Sequence, residues 1–140
     1  MSDKEKTAKV AHTEALAQRL AELADAKAAS EIVILDMRGI VSYTDFLVIC
    51  TARNERQARA IADEVKLRLK QEGGLLPGGS EAAEAAGWIV LDYLDCVLHV
   101  FTEEARQRYA LEDLWREAPR LEHQASQDGV RGNLYRAAHG

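Results

Sequence analysis

The sequence predicts one α/β domain with a mixed or antiparallel sheet and three main helices, and three observations point that way. Aliphatic runs of strand length alternate with stretches of helical periodicity in the order helix, strand, strand, helix, loop, strand, strand, helix. The connections within each strand pair are short, which favours antiparallel neighbours. At 140 residues, with 47% hydrophobic and 29% charged side chains, the chain is large and apolar enough to close a single core.

Residues 1–12 are polar, charged and aperiodic, and read as a flexible N-terminal segment ahead of a domain over 13–119. From Thr13 to about Ala28, Leu16, Leu20, Leu23 and Ala24 recur at spacings of three and four, the stripe of an amphipathic helix that needs a sheet to cover. EIVILDM supplies the first strand, with Ile32 to Leu35 continuously aliphatic; RGIVSYT turns the chain and DFLVICT, Asp45 to Thr51, supplies the second. In NERQARAIADEVKLRLKQEGG, Asn54 and Gln57 form a capping box, Ile61, Val65 and Leu69 mark the buried stripe, and Gly73 or Gly74 ends the helix. Leu75 to Gly87, with its proline, glycines and small residues, reads as a mobile loop. Residues 120–140 show no apolar repeat and read as a flexible C-terminal tail.

Between loop and tail, Trp88 to Tyr93 and Cys96 to Phe101 form a hairpin around Leu94 and Asp95, and Thr102 caps a third helix that Pro119 ends. Glu103 and Glu104 then sit at the positive end of that helix's dipole. A two-residue loop pairs Tyr93 with Cys96 and Val90 with His99, which sorts the side chains into two faces. Ile89, Leu91, Tyr93, Cys96, Leu98 and Val100 make a core-like face. Trp88, Val90, Asp92, Val97, His99 and Phe101 make the other, mixing aromatics with an acid and an imidazole. That face serves either as a second hydrophobic layer under a helix, with Asp92 and His99 satisfying each other across the pair, or as a surface that meets a partner.

Charge is unevenly spread. The total is −5, but residues 1–80 carry 12 basic and 12 acidic side chains, whereas residues 81–119 carry 3 basic and 9 acidic, net −6. Such a surface repels phosphate backbones, so little direct nucleic-acid binding is expected, and it attracts basic proteins, ribosomal proteins among them. No apolar run approaches the length of a membrane span, and the N-terminal residues lack the pattern of a targeting peptide, so the expected location is cytoplasmic. Cys50 and Cys96 both fall in apolar strand patterns and are expected to stay reduced.

Chemistry-bearing patterns are few. GGLLPGG has neither the lysine and hydroxyl of a phosphate loop nor a strand-to-helix junction. Cys96 and His99, three apart on a strand, point to opposite faces and cannot easily share a metal. The acids Asp92, Asp95, Glu103 and Glu104 suggest magnesium-dependent nucleotidyl or phosphoryl transfer, but one lies in a turn and two begin a helix whose dipole accounts for them. No catalytic residue, metal site or cofactor is expected.

Three stretches together resemble the ribosomal silencing factor family, also called the Iojap family. YTDFLVICTARNERQARAIADEV is similar to its strand running into a capped helix, GWIVLDYLDCVLHVF to its hairpin ending in histidine, and RQRYALEDLW to its arginine, tyrosine and leucine helix ending in tryptophan. The match covers about Leu16 to Pro119. The resemblance implies a small α/β protein, distantly nucleotidyltransferase-like in fold, that binds the large ribosomal subunit through its fourteenth protein, blocks joining of the small subunit and damps translation when nutrients are scarce. The family usually carries glycine where Leu94 stands, and a leucine resists positive φ, so a wider loop would shift the two faces by one residue. The glycine-serine entry and paired aspartates of a nucleotidyltransferase are missing, so the resemblance implies a binding protein rather than an enzyme. On this reading Trp88, Asp92, His99, Arg106 and Tyr109 are the partner-binding residues, with Arg106 and Tyr109 on one face of the third helix. A transferase using the aspartates, and an assembly factor for the large subunit, are the competing readings. Whether the chain acts alone or as a homodimer stays open.

Overall fold

The computed structural model describes residues 3–78 and 87–122, with side chains from His12 onward. The order of elements is α1 (Asp3–Ala26), β1 (Ser30–Asp36), β2 (Phe46–Ala52), α2 (Glu55–Gly73), β3 (Trp88–Asp92), β4 (Cys96–Thr102), α3 (Glu103–Tyr109), α4 (Leu111–Leu114) and β5 (Arg120–Leu121). The strands form one mixed sheet in the order β3-β4-β2-β1-β5, with β2 and β4 parallel and all other neighbours antiparallel. Among the described residues no helix is long and apolar enough to cross a membrane.

Local chemistry explains the best-defined helix. Asn54 Oδ1 accepts from the Gln57 amide at 2.8 Å, and the Gln57 carboxamide donates to the carbonyls of Lys27 and Ala28, both at 3.1 Å. The cap therefore also fixes where α2 starts against the end of α1. Gly74 closes the helix at φ 67, in the left-handed region that glycine enters without penalty.

Alternation along the strands splits the interior into two layers. The inner layer packs Leu20, Ala21 and Ala24 of α1 and Ile61, Val65 and Leu69 of α2 onto Ile34, Val48, Leu91, Leu98 and Val100 of the sheet. The outer layer joins Leu35, Leu47, Ile49, Val97 and Phe101 to Ala105 of α3, with Trp88, Val90, Leu111 and Trp115 at its margin. Central β2 is buried along its whole length, as its unbroken apolar run predicts.

Three features differ from the sequence expectations or extend them. The first helix begins at Asp3, within the segment expected to be aperiodic. The sheet continues past Pro119, where Ile34 pairs with Leu121 and Leu35 with Arg120; residues 123–140 of the expected tail lie outside the described residues, as do residues 79–86 of the expected loop. The third helix does not run to Pro119. It breaks at Ala110, which takes φ 47, and resumes as α4. On an unbroken helix Leu111 would stand about 120° round from buried Ala105, whereas the break brings Leu111 and Trp115 to the outer layer.

The hairpin keeps the predicted register despite Leu94. Val90 pairs with His99, Asp92 with Val97, and the Tyr93 amide donates to the Cys96 carbonyl at 2.9 Å. Leu94 accepts φ 70 inside a γ-turn closed by the Asp95 amide on the Tyr93 carbonyl at 3.0 Å, a strained form for any residue with a side chain. The Asp92 carboxylate takes the Leu94 amide at 2.8 Å and holds the turn in place.

Candidate functional site

Gly87 sets the start of the site. Its φ is 76, and a Cβ placed there would collide with the hydroxyl of Thr102, the residue whose side chain caps α3. The bare backbone lets β3 enter directly against the start of α3, with the Thr102 amide bonded to the Gly87 carbonyl at 2.8 Å. Trp88 follows, opposite Phe101 on β4.

Four rings then gather on the outer face. The Trp88 indole lies 4.6 Å from the Tyr109 ring, 5.2 Å from Phe101 and 5.8 Å from His99, centroid to centroid, and Phe101 lies 6.0 Å from His99. These separations suit offset and tilted aromatic packing. Phe101 is sealed at the bottom of the cluster, Trp88 is half-buried, and Tyr109 forms its lid with 37% of its surface open to solvent.

His99 is the polar member. The indole Nε1–H of Trp88 donates to its Nδ1 at 3.1 Å, and because an indole nitrogen only donates, Nδ1 carries no proton. Burial pushes the imidazole pKa down from 6.5 to about 4, against a weaker opposing pull from the Asp92 carboxylate. His99 is therefore neutral at pH 7, with its proton on Nε2. The expected hydrogen bond between Asp92 and His99 is replaced: Asp92 serves the turn and His99 takes Trp88.

Of the five residues singled out from the sequence, Trp88, His99 and Tyr109 come together, and Asp92 closes the far end of the same hairpin face. Arg106 does not join the rings. Its side chain is only 10% exposed and bonds toward β1, β2 and α4 instead, to Thr51 Oγ1 at 2.7 Å, to Glu112 Oε1 at 2.8 Å and to the Glu31 carbonyl. Sequence reading placed Phe101 on the right face but gave it no role in the cluster. It missed the Arg106 acceptors entirely, because Glu31 and Thr51 are remote in sequence and the spacing to Glu112 makes sense only once the helix breaks.

Both cysteines are free and buried, and burial pushes each thiol pKa up to about 12, far from a reactive thiolate. Among the described residues no three or more histidine, cysteine, aspartate or glutamate side chains gather as a metal ion would require. What stands open is a half-exposed aromatic cap beside a helix start bearing Glu103 and Glu104.

Known proteins share this chain's pattern. A family model described as "Ribosomal silencing factor during starvation" matches residues 10–138. The chain is 41% identical over 109 residues to the ribosomal silencing factor RsfS of Halalkalibacterium halodurans, covering 75% of this chain and 92% of that protein. It is 39% identical over 95 residues to RsfS of Bacillus subtilis, covering 68% and 80%. A crystal structure of a protein from Chromobacterium violaceum superposes with a TM-score of 0.68 at 28% identity, covering 73% of this chain and 84% of that one. The fold, the matched residues and the extent of these likenesses agree: the chain belongs to the ribosomal silencing factor family, and with it to a ribosome-associated, translation-silencing role.

Proposed function

We propose that this protein silences translation without chemistry, by binding the large ribosomal subunit through its fourteenth protein and occupying space that the small subunit needs for joining. The docking surface is the outer face of the hairpin around Trp88, His99 and Tyr109, with Asp92 at its edge. What supports it is the half-exposed stack of Tyr109 on Trp88, aromatic area held rigidly at the surface beside an acidic helix start. Rigid aromatic anchors lose little conformational freedom on binding and are the side chains that most often dominate interfaces. The net charge of −6 over residues 81–119 adds attraction for a basic ribosomal protein, felt mainly in the rate of encounter.

The experiment is a co-sedimentation of the purified protein with isolated large and small subunits, followed by a joining assay. The expected outcome is retention on large subunits alone and fewer joined ribosomes as the protein is added. Equal retention on both subunits, or joining that proceeds unchanged at saturating protein, would remove the proposal. In starved cells lacking the protein, sucrose gradients should show excess joined ribosomes; precursor particles in their place would point to a role in subunit assembly.

A further inference from the structure

The short helix α3 is held by two of its own residues. Tyr109 stacks over Trp88 of β3 and Phe101 of β4. Arg106 Nη1 donates to Thr51 Oγ1 of β2 and to the Glu31 carbonyl of β1, while its Nε donates to Glu112 of α4. Glu112 in turn faces Arg120 of β5 at 3.5 Å, so one guanidinium links α3 to three neighbouring elements and, through Glu112, to a fourth.

Two backbone outliers lie where this network attaches. Ala110, at φ 47, is the elbow between α3 and α4; Glu31, at φ 49, sits where the β1–β2 register shifts. Each holds a left-handed conformation that sterically disfavours any residue with a Cβ. Both line the same cavity of about 370 Å³, into which Arg106 and Thr51 also face. The Arg106–Glu112 pair spans six residues, which on an unbroken helix stand about 120° apart, so this bond exists because the chain bends at Ala110. A rigid fork that satisfies acceptors on both sides of a strained elbow stabilises the bent form against the straight one.

We propose that Arg106 is a positioning residue: by bridging β1, β2 and α4 it fixes the elbow at Ala110, and thereby the pose in which Tyr109 caps Trp88. Its part in binding runs through Tyr109 and not through contact with the partner. This rests on the reading that the aromatic cap meets the large subunit, yet its structural half can be tested without ribosomes.

The chain has two tryptophans, so Trp115→Phe leaves Trp88 as the single indole, and its emission reports whether Tyr109 still covers it. In that background Arg106→Met should shift Trp88 emission to the red, in the direction given by Tyr109→Ala, and weaken large-subunit binding by about tenfold or more. The double variant Arg106→Met with Tyr109→Ala should bind within about threefold of Tyr109→Ala alone, because the second change removes what the first positions. Should Arg106→Met fail to fold, Glu112→Ala cuts the bond across the elbow, and with it the Arg120 contact, while leaving the Arg106 bonds to β1 and β2, and is expected to shift the emission in the same direction; Arg120→Ala, which removes the β5 contact alone, should leave the emission unshifted. An unshifted Trp88 in a folded variant overturns the proposal, and so do losses that multiply in the double variant, which would mean direct contact. If no form of the protein binds subunits, the silencing mechanism proposed above fails, while the emission shift still decides the role of Arg106.

Discussion

One sheet presents two faces that are covered very differently. The inner face lies under α1 and the 19-residue α2, and Leu98, Leu91, Val48 and Val100 there are fully buried. The outer face is roofed by helices of seven and four residues, which leave Trp88, Val90 and Trp115 half-buried and Tyr109 open. Long helices turn a face into stability, whereas short ones leave aromatic area that a partner can still bury.

The sharpest way to break this contrast is to truncate one residue from each face. Leu98→Ala removes a fully buried inner side chain and should cost about 2–5 kcal/mol in a urea melt, through lost transfer energy plus a cavity. A loss under about 1 kcal/mol would mean the inner face yields more than a close-packed core does.

Acid should expose a second difference, because the outer face carries the one buried histidine among the described residues. His99 has its native pKa pushed down to about 4, so as pH falls below its ordinary value of 6.5 the unfolded chain takes up a proton that the native state refuses. Stability due to this group is therefore complete above pH 6.5 and declines as pH falls toward 4. The expected loss between pH 7 and pH 4.5 is roughly 2 kcal/mol. His99→Gln keeps an acceptor for Trp88 but cannot titrate, so melts at the two pH values should differ less in the variant than in the parent. Equal differences would place the proton uptake elsewhere.

Tyr109→Ala tests the outer face directly. With 37% of the residue already exposed, its loss should change stability by less than about 1 kcal/mol, while large-subunit binding on the proposed surface should weaken by about 2 kcal/mol. Early melting with undiminished binding would make the outer face a second core and move the interface elsewhere.

The features that could be read from sequence were those whose causes are local. The cap of α2 follows from Asn54 and Gln57, and the register of the hairpin follows from alternation, which held even against the unfavourable Leu94. The break at Ala110 could not be read, since alanine carries no signal for φ 47 and the forces that support the bend come from Glu31 and Thr51 across the fold. The partner of His99 was equally hidden. Opposite Val90, it has Trp88 on one diagonal and Asp92 on the other, and only the three-dimensional turn geometry assigns Asp92 to the Leu94 amide. A two-residue strand such as β5 is too short to show any period at all.

The smallest expected effect lies at the turn that decides which side chains belong to which face. Leu94 is 76% exposed, so it gains almost nothing from burial, yet it holds φ 70 in a γ-turn. Relief of that strain by glycine is worth about 1–2 kcal/mol, and the extra freedom of glycine in the unfolded chain returns about 0.5–1 kcal/mol of it. Leu94→Gly should therefore stabilise the protein by roughly 0.5–1 kcal/mol, a sign opposite to that of most substitutions. The Asp92 bond to the residue 94 amide is a backbone contact and survives the change, so the register, and with it the emission of Trp88, should stay as it is. A stabilised variant with unchanged emission would show that alternation of the strands sets the two faces and that the leucine merely tolerates the turn. A destabilised one would mean that the exposed leucine makes a contact the strain energy is offset by, and the turn would join the outer face as a part of the surface worth probing against the large subunit.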